Sequence, residues 1–263
     1  MSDRRGRKNV VGAARTSSGD RGPVLVGLAV VLVLAVVVAV MVALAARDSS
    51  SRTAQPIPAV TAPPDSVPVT LDRQSGTVVA GQADAPLVID VYEDFLCPAC
   101  GTFEERYGQE IHEGLADGTL RVRYHLVHLL DQRSDPPGYS LAAANAALGV
   151  AAHEPQAFLD FHTTLMHHMP AERSTPYGDD QLIDLARRLG VTADAFAEAV
   201  RGKAFADAVR RQLDTAMTDP ALQRPDGDGQ SYFGTPTVTH NGRIVDVLAD
   251  PDWLADLTTS LPG

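Results

Sequence analysis

LVIDVYEDFLCPACGTF, residues Leu87 to Phe103, holds both cysteines of a 263-residue chain. Leu87 to Tyr92 is mostly apolar and rich in β-branched residues, as a buried strand is. Beyond it, Phe103, Tyr107, Ile111 and Leu115 recur every four residues, so a helix is expected to begin at the Cys motif and run to Leu115. Leu120 to Leu126 then alternates apolar and polar, which suits a second strand. Strand, helix, strand is a βαβ unit, with Cys97 where the first strand turns into the helix.

That position has chemical consequences. Unpaired amides and the helix dipole at a helix N-terminus stabilise negative charge and lower a thiol pKa. Pro98 fits just inside the helix start, where its missing N–H is not needed. Cys100 lies one turn on, under Cys97, close enough to attack a mixed disulfide. Thiol–disulfide exchange requires this combination: an exposed attacking thiolate and a shielded resolving thiol. A static staple is the bland alternative, but a pair three residues apart stabilises little.

Working outward, Ser75 to Ala80 reads as a short edge strand. From Tyr139 to about Met217 the pattern is helical throughout: Ser140–Ala152, Gln156–His168, Asp179–Leu189, Ala193–Val200 and Phe205–Met217, with Asp179 and Thr192 as expected N-caps. Strands return at Pro236–His240 and Arg243–Leu248, joined by Asn241-Gly242, a strong two-residue hairpin signal. A last helix, Asp252 to Leu261, carries the single tryptophan, Trp253. The fold class is α/β, with a helical block of about residues 139–217 inserted between two β segments.

The N-terminal part is organised differently. Net charge is −11 overall, yet residues 1–22 carry six basic and two acidic side chains, +4, leaving −11 − 4 = −15 for the rest. That balance excludes a nucleic-acid-binding role on electrostatic grounds. Val24 to Ala46 is 23 residues without a charged or polar side chain. At 1.5 Å per residue it reaches about 35 Å, enough for the hydrocarbon core of a bilayer. We expect a basic cytoplasmic tail (residues 1–22), a single-pass transmembrane signal-anchor helix (23–46), a Ser/Pro/Ala-rich tether (47–72) and a folded domain outside the cytoplasmic membrane (73–263). Cleavage after the small-x-small stretch Ala43-Leu44-Ala45 is the alternative, though the apolar run exceeds the usual signal-peptide core. Either way the cysteines face an oxidising space.

Phe233-Gly234-Thr235-Pro236-Thr237 precedes the hairpin, 136 residues after Cys100 in the case of Pro236. Together, Cys97-Pro98-Ala99-Cys100, Thr235-Pro236 and the helical insertion resemble the thioredoxin superfamily, and within it the exported DsbA-like thiol:disulfide oxidoreductases of actinobacterial type. The resemblance covers about Gly76 to Leu261. It implies a thioredoxin fold with a helical insertion, a catalytic Cys97–Cys100 pair and no cofactor or metal. It implies a cis Pro236 beside the pair, with Pro98, Ala99 and Thr235 supporting the site and Thr235 offering backbone hydrogen bonds to substrate. Its implied partners are reduced or misoxidised exported proteins and a membrane redox partner, quinone-linked in the family.

Two departures stand out. Ala99 replaces the histidine of the strong oxidants, which predicts a milder oxidant. The carboxylate often found six residues before the first cysteine is Val91 here. Glu93 and Asp94 lie nearer: either one of them handles the proton of Cys100, or both are solvated loop carboxylates. His162, His167 and His168 are expected on the surface of the helical block, because their spacing does not put all three on one face. The expected activity is disulfide formation in extracytoplasmic proteins. A reductase or isomerase keeps the chemistry with the flow reversed; a thiolate copper carrier is a more distant alternative.

Overall fold

A computed structural model of the chain describes residues 55–61, 67–247 and 249–260. The expected basic tail, anchor helix and cleavage site lie outside these residues, and among the described residues no helix is long and apolar enough to cross a membrane.

The centre is a six-stranded sheet ordered β1-β2-β4-β3-β7-β8. Its strands are β1 (Val69–Asp72), β2 (Thr77–Ala80), β3 (Leu87–Glu93), β4 (Leu120–Leu126), β7 (Thr237–His240) and β8 (Arg243–Val245). β3 and β4 run parallel from Leu87↔Leu120 to Glu93↔Leu126, bridged by helix α1 (Pro98–Ala116). All other pairings are antiparallel. Asn241 and Gly242 both adopt positive φ, as the two-residue turn between β7 and β8 requires. A separate two-stranded arm, β5 (Arg224–Pro225) and β6 (Ser231–Tyr232), precedes the hairpin.

Helix α1 buries Phe103, Tyr107, Ile111 and Leu115, the four residues whose spacing announced it. Phe103 and Tyr107 pack on Trp253 of the last helix, α7 (Trp253–Thr259), with ring centroids 6.2 and 5.7 Å apart. The helical block consists of α2 (Tyr139–His153), α3 (Phe158–His167), α4 (Asp179–Arg188), α5 (Asp194–Arg201) and α6 (Ala206–Thr218). Alanines dominate α2, whose Ala143, Ala144, Ala146 and Ala147 are fully buried, so neighbouring helices approach it closely on several sides. Asn145, also fully buried, donates to the Val200 carbonyl and accepts from the Phe205 amide, tying α2 to the α5–α6 junction.

The structure corrects three expectations. The folded domain begins before residue 73: β1 lies within the expected tether, so β2 is an inner strand rather than an edge. Residues 55–61 are docked too. Ile57 is 1% exposed, its carbonyl accepts from Arg188 at 2.7 Å, and Val60 exchanges two backbone hydrogen bonds with the Thr164 hydroxyl. The partners of this segment lie more than 100 residues away, so no local periodicity announces it. Finally, the residues at the N-caps of α4 and α5 are Gly178 and Ala193, not Asp179 and Thr192. Gln181 Oε1 accepts from the Gly178 amide and takes the capping role for α4.

Candidate active site

The site forms where β3 ends and α1 begins. Cys97 is the N-cap of α1, with extended backbone (φ −85°, ψ 110°), and Pro98 starts the helix. The loop before it is fixed by Asp94. Its carbonyl accepts from the Cys97 amide at 3.0 Å. Its carboxylate accepts from the amides of Leu96 and Leu130, both at 2.8 Å, clamping the Cys loop to the segment after β4. Gly101 completes the motif for a steric reason. A Cβ there would sit 3.2 Å from the Met166 carbonyl, so glycine lets the C-terminal end of α3 lie directly on the cysteine turn.

The Thr235–Pro236 peptide bond is cis, as expected from the resemblance, and the Cys97 Sγ donates to the Thr235 carbonyl at 3.2 Å. Thus Cys97, Cys100, Thr235 and Pro236 converge although the two segments are far apart in sequence. Pro98 and Ala99 form the exposed rim. Cys97 itself is only 7% exposed, less open than a freely exposed attacking thiol, because Thr235 lies against its sulfur.

Both cysteines are free thiols, and their surroundings drive them apart. A hydrogen bond from the Cys100 thiol draws the Cys97 pKa down to about 6 against the opposing effect of burial; Thr235 and the amides of Ala99 and Cys100 add to the pull. These amides belong to the first turn of α1, so the helix N-terminus acts on the sulfur as anticipated. Cys100 is fully buried. Desolvation foremost, then the neighbouring Cys97 sulfur and Glu93, push its thiol well above the ordinary range. One sulfur is a ready nucleophile at neutral pH; the other stays protonated until called on.

Glu93 and Asp94 are not solvated. They are 1% and 0% exposed. Burial lifts Asp94 to about 6, with the Leu130 amide opposing. Glu93 is raised above the ordinary carboxylate range by burial, opposed by His162. Its position explains the missing carboxylate at Val91. Alternate residues of a strand share a face, so Val91 and Glu93 point the same way and the acid has moved one pleat toward the cysteines.

His162 was expected on the surface and is not there. It is 1% exposed, and its Nε2 lies 2.8 Å from Glu93 Oε2. Tyr124 and Phe95 pack on its ring at centroid distances of 4.9 and 5.7 Å. A signal was available: Phe158, Leu165 and Met166 stand four before, three after and four after it, placing position 162 on the apolar stripe of α3. His167 is exposed, as expected. Among the described residues no group of three or more His, Cys, Asp or Glu side chains is placed to hold a metal.

A family model described as thioredoxin matches residues 73–257. The chain belongs to the thioredoxin family. Among solved structures, this thioredoxin-family domain resembles reduced DsbA of Mycobacterium tuberculosis, with 27% identity and a TM-score of 0.57 over 69% of this chain and 85% of that one. It also resembles the reduced disulfide bond oxidoreductase DsbG of the same organism, with 28% identity and a TM-score of 0.53 over 70% and 85%. The enzyme class follows from this likeness and the cysteine geometry: a DsbA-type thiol:disulfide oxidoreductase. A curated relative is the serine/threonine-protein kinase PknE of M. tuberculosis, 33% identical over 184 residues, or 68% of this chain. The chain spans 31% of the length of that kinase.

Proposed function

We propose that this protein is an exported, membrane-anchored disulfide oxidase that introduces disulfides into proteins outside the cytoplasmic membrane. The observation that carries the reading is the unequal pair. Cys97 sits at a helix N-terminus with its thiol near 6, and Cys100 is sealed behind it with its thiol far above. Stabilising the thiolate stabilises the reduced protein, which makes the disulfide a better oxidant.

In the oxidised protein a substrate thiolate attacks Cys97 Sγ. The new bond to Cys97 forms as the Cys97–Cys100 bond breaks, and the electron pair leaves on Cys100. A second substrate thiol, as its thiolate, then displaces Cys97. Substrate leaves as a disulfide, and both cysteines remain reduced. The cis-proline loop supports this docking role, because the Thr235 carbonyl already accepts a hydrogen bond beside the reactive sulfur. A membrane partner, quinone-linked in the wider family, would restore the disulfide. The apolar run Val24–Ala46 and the basic flank before it support export and anchoring.

A second reading has an observation of its own. The stretch shared with PknE makes up 31% of a serine/threonine-protein kinase, and a redox pair joined to a kinase would report rather than deliver oxidising equivalents. A reductase or isomerase reverses the flow.

The deciding experiment is the equilibrium reduction potential of the Cys97–Cys100 pair in the full chain against glutathione, with turnover of a dithiol peptide. With Cys97 near 6, between the about 3.5 of DsbA and about 7 of thioredoxin, the potential should fall between about −120 and −270 mV, nearer the thioredoxin value but on its oxidising side. A potential at or below about −270 mV would assign a reductant. A single oxidation event without turnover would assign a sensor.

A further inference from the structure

The helical insertion does more than cover the site. We propose that His162 of α3 positions and charges Glu93 so that the two side chains hold one shared proton for the buried Cys100 sulfur. The inference rests on the redox reading of the Cys97–Cys100 pair and names the residues that let Cys100 act.

The geometry sets up the demand. Cys100 is fully buried, so a thiolate formed there cannot reach water for its proton. The amide of Asp94, the residue after Glu93, bonds to the Cys100 sulfur, and the Glu93 charge acts on that sulfur directly. One carboxylate oxygen, Oε2, is bonded to His162 Nε2 at 2.8 Å; the other, Oε1, is buried with no hydrogen-bond partner among the described residues. A buried carboxylate oxygen without a partner is costly unless it serves something. His162 is 1% exposed, so its contact with Glu93 is not a surface ion pair.

The other ionisable groups around the pair are accounted for. From α1 come Glu104, bonded at 2.7 Å to the Thr163 hydroxyl, and His112 farther along the helix. From β4 comes Tyr124, whose phenol is pushed far up by burial and stays neutral. Burial would lower His162, yet Glu93's charge and hydrogen bond, aided by Glu104, outweigh it and raise the imidazole. Burial raises Glu93 as well. Both side chains thus hold a proton to higher pH than in water: Glu93 through burial, against the pull of His162, and His162 through the charge of Glu93.

Proton bookkeeping closes. When a substrate thiolate breaks the Cys97–Cys100 bond, the electron pair lands on Cys100 and the shared proton moves from the Glu93–His162 pair onto that sulfur. The second substrate thiol loses its proton before displacing Cys97, and that proton refills the pair. In the reductive direction the pair takes the Cys100 proton, so that its thiolate can expel a bound partner from Cys97. His162 never touches sulfur; it acts through Glu93, whereas an ordinary buried histidine would act only on stability.

A two-phase thiol release separates these roles. Reduced full-length protein in detergent is mixed with an aromatic disulfide. Attack by Cys97 releases the first aromatic thiol and attack by Cys100 the second. His162→Gln should slow the second phase by about 10²-fold at pH 7 and move its pH midpoint upward, leaving the first phase within about twofold. Glu93→Gln should do the same, and the double variant should be no slower than either single one. An unchanged second phase, or equal slowing of both phases, would overturn the proposal. If either variant fails to fold, the wild-type protein answers by NMR. The His162 ring proton should titrate differently in the oxidised and reduced forms, and identical titrations would overturn the proposal. If the wild-type protein itself releases no aromatic thiol, the redox reading fails instead, which keeps the two failures distinct.

Discussion

The sheet half of this molecule and its helical block meet at one pair of sulfurs and treat them in opposite ways. The βαβ unit β3-α1-β4 presents Cys97 at a helix terminus, where amides draw its proton off. The block seals Cys100 from behind: the Met166 carbonyl presses on Gly101, and His162 reaches Glu93. The C-x-x-C motif makes a thiolate, whereas the inserted helices decide how its partner thiol is released. A C-x-x-C turn on a bare thioredoxin sheet would lack the second half of this control.

The sharpest way to break that division is at Cys97. Cys97→Ser should abolish peptide oxidation, because no other sulfur is placed to accept the first attack; residual turnover would show that Cys100 is not subordinate. Cys100→Ser should instead accumulate covalent adducts through Cys97, visible by mass spectrometry of the intact protein, and their absence would remove its resolving role.

A smaller effect is expected within the block. Phe161, fully buried in α3, should cost about 3–5 kcal/mol when replaced by alanine, read as a lowered urea midpoint. The same variant should leave the Cys97 titration in place, since α1 and Thr235 set it. If that titration moved toward about 8.5, the block would be shaping the nucleophile as well.

Ile57→Ala tests whether the docked segment belongs to the block. Ile57 is 1% exposed, and about 2–3 kcal/mol of stability should go with it. No loss would mean the segment detaches freely in solution.

The smallest effect is graded with pH. Attack by Cys97 on a small disulfide should be flat above pH 7 and fall about tenfold per pH unit below its titration near 6. Stability follows the same group. Folding lowers the Cys97 pKa from an ordinary value of about 8.5 to about 6, so the reduced protein has the full benefit above about pH 8.5 and loses it as pH falls through 6. Comparing urea midpoints of the reduced protein with those of Cys97→Ser across that window checks the sign. Stability rising toward low pH would contradict it.

How much could be read before folding was known differs by element. Helix α1 was legible to within a residue or two because Phe103, Tyr107, Ile111 and Leu115 repeat along one face and Pro98 marks its start. The five helices of the block and the Asn241-Gly242 turn were legible for the same reason: each carries its signal within its own dozen residues. Cys97 and Cys100 could be named because they are the chain's two cysteines and stand at a strand–helix junction, whereas Thr235 and Pro236 were named through the resemblance to the thioredoxin superfamily. β1 could not, since four residues, VTLD, give too little alternation and acquire strand structure only through pairing with β2. The burial of Ile57 was equally hidden, because the groups that hold its segment come from α3 and α4.

By itself, then, the sequence determined the strand–helix junction that activates one thiol, the order of the elements and the uncharged apolar run Val24–Ala46. Those properties depend on near neighbours along the chain and on composition. The tertiary structure alone decided that Glu93 and Asp94 are buried, that a histidine 69 residues downstream bonds to the first of them, and that the Thr235 carbonyl reaches the Cys97 sulfur. Burial and long-range contacts are set by which elements pack together. A carboxylate beside a cysteine therefore reads the same in sequence whether water or an imidazole stands next to it.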